Sequence, residues 1–243
     1  MTRGATITAA AAAAFLVVLV AQLPARWAAH ALPRRIACSD LEGTVWNGGC
    51  AGLSVSGMPL GDLAWRVHPL RLLLLHLSAA IDLDGPDTRL SATVDLAPMG
   101  AGSAADVHAT LPLDHRLLAQ LPLSEHASLQ ANLTRLAWRG RRVTRLSGQV
   151  ELRGLTFPSG EPLGDYQLSF PPATGGEPVG RIADLGGPLS VEGTLRLTPQ
   201  PGFAVQALVA ARSGTPADIA QGLRFLGSPD AQGRREFSFE GTF

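Results

Sequence analysis

The sequence has no lysine, a single tyrosine and only two cysteines in 243 residues, and aromatics make up 5% of it. Arginine therefore carries every strong positive charge, a bias that a GC-rich genome explains more simply than any guanidinium chemistry. Net charge is lacking too: 20 acidic residues balance 20 basic ones, so no overall field gathers nucleic acid or presses one face onto anionic lipid. Signatures of chemistry are equally scarce. The histidines at 30, 68, 76, 108, 115 and 126 form neither H-x-x-x-H nor H-E-x-x-H, and the two cysteines do not form C-x-x-C. No nucleophile elbow, phosphate loop or dinucleotide fingerprint stands in a useful context. Asp82 and Asp84 share a strand face but border Gly85-Pro86, as a solvated strand end does. No catalytic residue, metal ligand or cofactor site is assigned, and an enzyme is not expected.

What is present begins with an uncharged stretch between Arg3 and Arg26, Gly4 to Ala25, with an apolar centre from Ala9 to Ala21. At about 1.5 Å per residue it spans roughly 33 Å, enough to cross a hydrocarbon core. Residues 1–26 are expected to be a cytoplasmic tip and one transmembrane helix, with Trp27 at the interface. A cleaved signal peptide is the other reading, with Ala29-His30-Ala31 as its processing site. The apolar run is longer than the roughly 7–15 residues of a signal core. Flanking charge, Arg3 against Arg26, Arg34 and Arg35, argues by itself for a cytoplasmic domain. The signal-like position of the segment and the pair Cys38 and Cys50 argue for the far side, where an oxidised pair persists. Such a bridge closes a loop of about 13 residues and contributes about 3 kcal/mol. Two small buried thiols are the alternative.

Beyond the anchor the chain repeats itself. Gly57-Met58-Pro59-Leu60-Gly61-Asp62-Leu63 recurs as Gly160-Glu161-Pro162-Leu163-Gly164-Asp165-Tyr166, with five of seven positions shared. Alternating runs follow each heptad, Ala64 to Val67 and Gln167 to Phe170, and strand-like segments precede them, Gly43-Thr44-Val45-Trp46-Asn47-Gly48 and Gly148 to Gly154. Proline presets its own φ, glycine supplies positive φ, and Asp bonds nearby amides, so the heptad is expected to connect the strands of a hairpin. A catalytic role for Asp62 and Asp165 is the sharper but much less frequent use of an acid in such a setting.

Period-two apolar segments continue through Leu75–Leu83, Leu90–Leu96, Val107–Leu111, Ala127–Trp138, Val143–Leu152, Leu189–Leu197, Ala204–Ala211 and Arg235–Phe239. Such alternation requires one covered face. Short helices are expected where it breaks, at His68–Leu74, Leu113–Leu121 and Pro216–Leu226, the last capped by Thr215. Pro171 to Pro178 is expected to be a loop, and Trp46, Trp65 and Trp138 are expected to anchor the core. The fold class is mainly β: a single transmembrane helix, then a long curved antiparallel sheet in two repeat-like halves, 27–126 and 127–243.

Four motifs in order behind the anchor carry a family likeness. They are Gly43-Thr44-Val45-Trp46-Asn47-Gly48; Leu63-Ala64-Trp65-Arg66-Val67-His68-Pro69 with Leu72 to Leu74; Gly186-Gly187-Pro188-Leu189 with Gly193; and Leu223 to Asp230 with Gly227, Gly233 and Arg234. Together they resemble the protein N family of the type II secretion system. That resemblance implies a non-catalytic accessory in the bacterial inner membrane, with most of the chain in the periplasm. Implied partners are other secretion subunits, the inner-membrane platform and the outer-membrane secretin, with membrane lipid around the N-terminal helix. More distantly the pattern is similar to AsmA-like envelope proteins, whose concave sheet can hold or move lipid. The Cys38 and Cys50 pair is not part of the likeness.

Overall fold

In a computed structural model that describes residues 15, 18–29, 35–72, 76–113, 127–156, 160–172, 176–200 and 202–242, nearly every alternating segment is a strand. The expected membrane segment, 4–25, falls mostly outside the described residues. Among those described, no helix is long and apolar enough to cross a membrane. The chain divides into two compact units, Met1–Pro86 and Asp87–Phe243, so the division expected at 126/127 lies inside the second unit.

The first unit contains α1 (Ala25–Ala29), β1 (Ile36–Ala37), β2 (Asp40–Gly43), β3 (Asn47–Val55), β4 (Met58–Val67), α2 (Pro69–Leu72) and β5 (Leu77–Asp84). Strands β1 and β2 lie end to end along one side of β3, and β4 and then β5 follow on the other, all antiparallel. The chain reverses at Ser56-Gly57, with φ of 53° and 83°, a two-residue connection in which both central residues are left-handed. From Met58 onward the heptad is strand rather than turn.

The second unit is an antiparallel succession: β6 (Arg89–Ala97), β7 (Ala101–Leu113), β8 (Ala127–Arg139), β9 (Arg142–Thr156), β10 (Pro162–Phe170), β11 (Val179–Asp184), β12 (Leu189–Thr198), β13 (Gly202–Ala211) and β14 (Arg235–Thr242). Register sorts its two faces. One row takes Leu90, Ala109, Ala131, Val150, Leu168, Ile182, Gly193, Ala207 and Phe237 from successive strands. The adjacent row, on the opposite face, is Ser91, His108, Asn132, Gln149, Ser169, Arg181, Thr194, Gln206 and Ser238. Because successive side chains alternate across a sheet, a one-residue slip anywhere would exchange these rows.

A line of irregularities crosses the row pattern. Asp106 has φ of 51° where β6 and β7 shift register, and Thr134 is the extra residue where β8 and β9 shift, opposite Gly148 with φ of 132°. Beyond it the buried position on β7 changes parity, from Ala109 to Ala104. A bulge has this consequence, since one unpaired residue turns all that follow onto the other face.

Large rings sit over glycines on neighbouring strands. A Cβ on Gly48 would strike the Trp65 ring, one on Gly102 the Trp138 ring, one on Gly180 the Phe170 ring and one on Gly241 the Phe203 ring. Trp46, Trp65 and Trp138 are half-buried, so the expected tryptophan core is not formed. The buried clusters are aliphatic: Leu113, Ala127 and Leu155 with Leu129, Leu152, Leu163 and Tyr166 against them, and Leu189, Val209 and Ile219 with Leu163, Val191, Leu223 and Leu226. Ile219 comes from α3 (Ala217–Gly222), which runs into a 3-10 turn at Leu223–Leu226. Burying such a side chain contributes about 1.5–3 kcal/mol. Thr215 does not cap α3: its hydroxyl donates to the carbonyls of Pro188 and Arg212, at 2.6 and 2.8 Å, so it is turned to the neighbouring turn instead of the helix amides.

Of the other breaks in alternation, α2 occupies the first; of the second, Leu113–Leu121, Leu113 ends β7 and the rest lies outside the described residues. In the Pro171–Pro178 loop the described residues are non-strand.

Candidate functional site

The repeated heptads take the same local geometry. In the first, Leu53 pairs with Gly61 and Cys50 with Leu63; in the second, Leu155 pairs with Gly164 and Leu152 with Tyr166. Leu53 and Leu155 are both buried. The preceding strand kinks through a left-handed glycine in each, Gly52 at φ 62° and Gly154 at 67°. The amide of Gly52 donates to Asp62 Oδ1, and that of Gly154 to Asp165 Oδ1, both at 2.8 Å. Each Asp thus accepts from an amide that the bulge has turned out of the ladder. These acids hold the two hairpins together.

Gly61 and Gly164 are needed for a second reason. Their φ values are 113° and 100°, and each lies against the chain of the following strand end, Asp84-Gly85 for Gly61 and Gly186-Gly187 for Gly164. Pro59 pairs with Ser54 and Pro162 with Thr156, beside the hairpin tips, where a missing N–H is tolerated.

The Gly186-Gly187-Pro188-Leu189 turn is clamped from two sides. Asp184 accepts from the amides of Gly186 and Val191, and Arg212 reaches across from the end of β13 to Asp184 Oδ1 at 2.6 Å. The same guanidinium donates to the carbonyls of Gly187 and Leu189. Burial works to raise the Asp184 carboxyl, but the Val191 amide, Arg212 and the Gly186 amide together hold it below its ordinary value. Beside it Tyr166 donates to the Leu163 carbonyl at 2.8 Å. Burial, and secondarily the Asp184 charge, pushes this phenol up to about 12. Gly193 lies tight against Ala207.

Asp230 organises the connection into β14. It accepts from the amides of Gln232 and Arg234 and from Arg234 Nε, and Gly233, at φ 77°, donates back to its carbonyl. Gly227 ends the 3-10 turn at φ 95°. Desolvation raises the Asp230 carboxyl, yet the Arg234 amide and guanidinium and the Gln232 amide leave it lowered overall.

In the first unit, the Gly43–Gly48 motif closes on itself and on the chain before α1. Thr44 and Asn47 exchange hydrogen bonds, and Gly43 has φ of 81°. Trp65 Nε1 donates to the Val45 carbonyl, while Trp46 Nε1 donates to that of Val20 and the Val45 amide to that of Leu23. Thr44 also forms a bridge with Pro24. A disulfide joins Cys38 to the buried Cys50, with Cα atoms 5.7 Å apart, fastening the stretch between β1 and β2 to β3.

Each of these groups holds a turn or a bulged hairpin of the backbone. Among the described residues no cluster of His, Cys, Asp and Glu could hold a metal ion. The sequence patterns singled out Asp62, Asp165 and Asp230 but not Asp184, nor the partners Gly52, Val191 and Arg212. An Asp two residues before a Gly-Gly-Pro turn was the available signal for Asp184.

Residues 34–238 match the family described as type II secretion system (T2SS), protein N. The chain is 29% identical to a type II secretion system protein N of Vibrio cholerae serotype O1, over 92% of each chain. It is 26% identical to one from Aeromonas hydrophila, over 94% of each. No solved structure matches it.

Proposed function

Because this chain belongs to the type II secretion system protein N family, we propose that it acts as a non-catalytic assembly subunit of that secretion machine. On this reading residues 4–25 anchor it in the bacterial inner membrane and the two β units stand in the periplasm. Its partners are other secretion subunits, the inner-membrane platform first and the outer-membrane secretin second. The observation that carries the proposal is the family match across 34–238, which takes in most of both units. The Cys38–Cys50 bridge suits an oxidising compartment, and the repeated acids Asp62 and Asp165 are occupied in holding bulged hairpins. Deleting the gene should leave type II substrates in the periplasm, with export restored by the full chain. Normal export of every substrate after deletion overturns the proposal. A phosphatase joined after Phe243 should be active in intact cells.

One observation favours a second reading, a lipid-holding surface. The row from Leu90 to Phe237 is apolar on every strand of the second unit, and several of its members are only half-buried, a band on which an acyl chain could lie. Native mass spectrometry of the detergent-purified chain should then find bound phospholipid, lost on Leu168→Glu and Ile182→Glu. A lipid-free chain that still captures platform fragments decides for assembly alone.

A further inference from the structure

We infer that the outer edge of β14 is a docking site for an extended, cationic strand of another protein, an inference that rests on the assembly reading and gives it a surface. Strand β14 pairs with β13 in unbroken register, from Val209↔Arg235 to Gly202↔Thr242. Among the described residues nothing pairs its other edge. Outward-facing backbone amides and carbonyls along such an edge form a template for another strand.

Edges that must stay free are shortened, bulged, interrupted by proline or studded with lysine. The outer strands of the first unit follow that pattern: β1 has two residues and β2 four, and a disulfide fastens the gap between them. Strand β14 is neither shortened, bulged nor interrupted by proline: it is eight residues long without register shift, and its charged side chains, Arg235, Glu236 and Glu240, are of mixed sign.

Its side chains select the occupant. Glu236, Ser238 and Glu240 lie on the polar face, and among the described residues neither glutamate has a salt-bridge partner. Phe237 and Phe239 lie on the apolar face, 37% and 44% exposed, with Phe239 tilted against Phe203 at 5.8 Å. A strand paired here therefore gains from lysine or arginine at alternate positions and apolar residues between them. Antiparallel self-pairing centred on Ser238 sets Glu236 opposite Glu240 twice, which disfavours that register of a second copy, and a one-residue shift sets apolar against polar faces.

The test uses the full chain in detergent micelles and a capped, dye-labelled octapeptide alternating lysine and valine, read by fluorescence anisotropy. Controls are the same residues in block order and a glutamate–valine alternation. The alternating cationic peptide should bind at least about tenfold more tightly than either control, a difference that two to four favourable cross-strand pairs supply. The double variant Glu236→Lys, Glu240→Lys should remove that preference, while Glu192→Lys, on the same face but on the interior strand β12, should leave it within about twofold. Hydrogen exchange at β14 amides should slow when the peptide binds. Equal binding of the block peptide, indifference to the double variant, or sedimentation of the chain as a dimer that this variant dissociates each overturns the site. The two readings fail separately. Normal export after gene deletion removes the assembly role whatever the peptide does, whereas export lost on deletion but kept by the double variant removes only the docking edge.

Discussion

The indole Nε1 of Trp46 donates a 2.7 Å hydrogen bond to the backbone carbonyl of Val20, across 26 residues. With the Val45 amide bonded to Leu23, it ties the turn before β3 to chain that the sequence assigns to the membrane anchor. These two bonds fasten the carbonyls of Val20 and Leu23 to the turn before β3. Trp46→Phe removes the donor but keeps most of the ring, and should lower stability in micelles by about 1 kcal/mol. Chemical denaturation followed by circular dichroism checks it. An unchanged midpoint would show that the bond is not formed in the micelle.

Asp62 and Asp165 make equivalent bonds to Gly52 and Gly154. Replacing either with Ala should cost about 1 kcal/mol, the low end of the range because solvent reaches the bonds. The costs should add in the double variant, since the two pairs share no partner. A loss far below that in both single variants would mean that water serves the bulged amides equally well.

Tyr166 is the sole tyrosine, so phenolate absorbance reports one group. It should titrate near 12 in the native chain and near 10 after unfolding. The native value is the raised one, so the stabilisation is complete below about pH 10 and is lost as pH climbs through the native value. A native titration at the ordinary value would contradict the burial of this side chain.

Asp184 has the opposite sign. Its native carboxyl titrates below the ordinary value, so the unfolded chain takes up the proton first as pH falls. Stability from this clamp is therefore full above about pH 4 and declines below it until the native group protonates. Asp184→Asn should cost about 2 kcal/mol near neutral pH, because Arg212 and two amides lose a charged acceptor. The gap from the parent chain should close in acid. A gap independent of pH would place the effect elsewhere.

Alternation alone located β5 to β9 and β12 to β14, to within a few residues at most ends, because a half-covered strand imposes a period of two on its own sequence. It undershot β7, expected over Val107–Leu111 and observed over Ala101–Leu113, since the Asp106 irregularity exchanges the faces and breaks the pattern. The heptads were legible as a repeated device, but not as bulged strand. The amides that their Asp residues accept from, Gly52 and Gly154, precede those acids by 10 and 11 residues on the neighbouring strand, and a linear pattern does not specify register. The tryptophans illustrate the same limit: each is a large apolar residue in sequence, and only pairing reveals that Trp65 and Trp138 lie over Gly48 and Gly102.

Sequence by itself determined the strand-rich class, the family and the two cysteines able to bridge, because periodicity, ordered motifs and thiol scarcity are all properties of the linear chain. Tertiary structure decided which amide each Asp satisfies, that Arg212 closes on Asp184 from 28 residues away, and which strand keeps an open edge. Those outcomes depend on how strands stack sideways, a distance of about 4.8 Å in space that bears no fixed relation to separation along the chain.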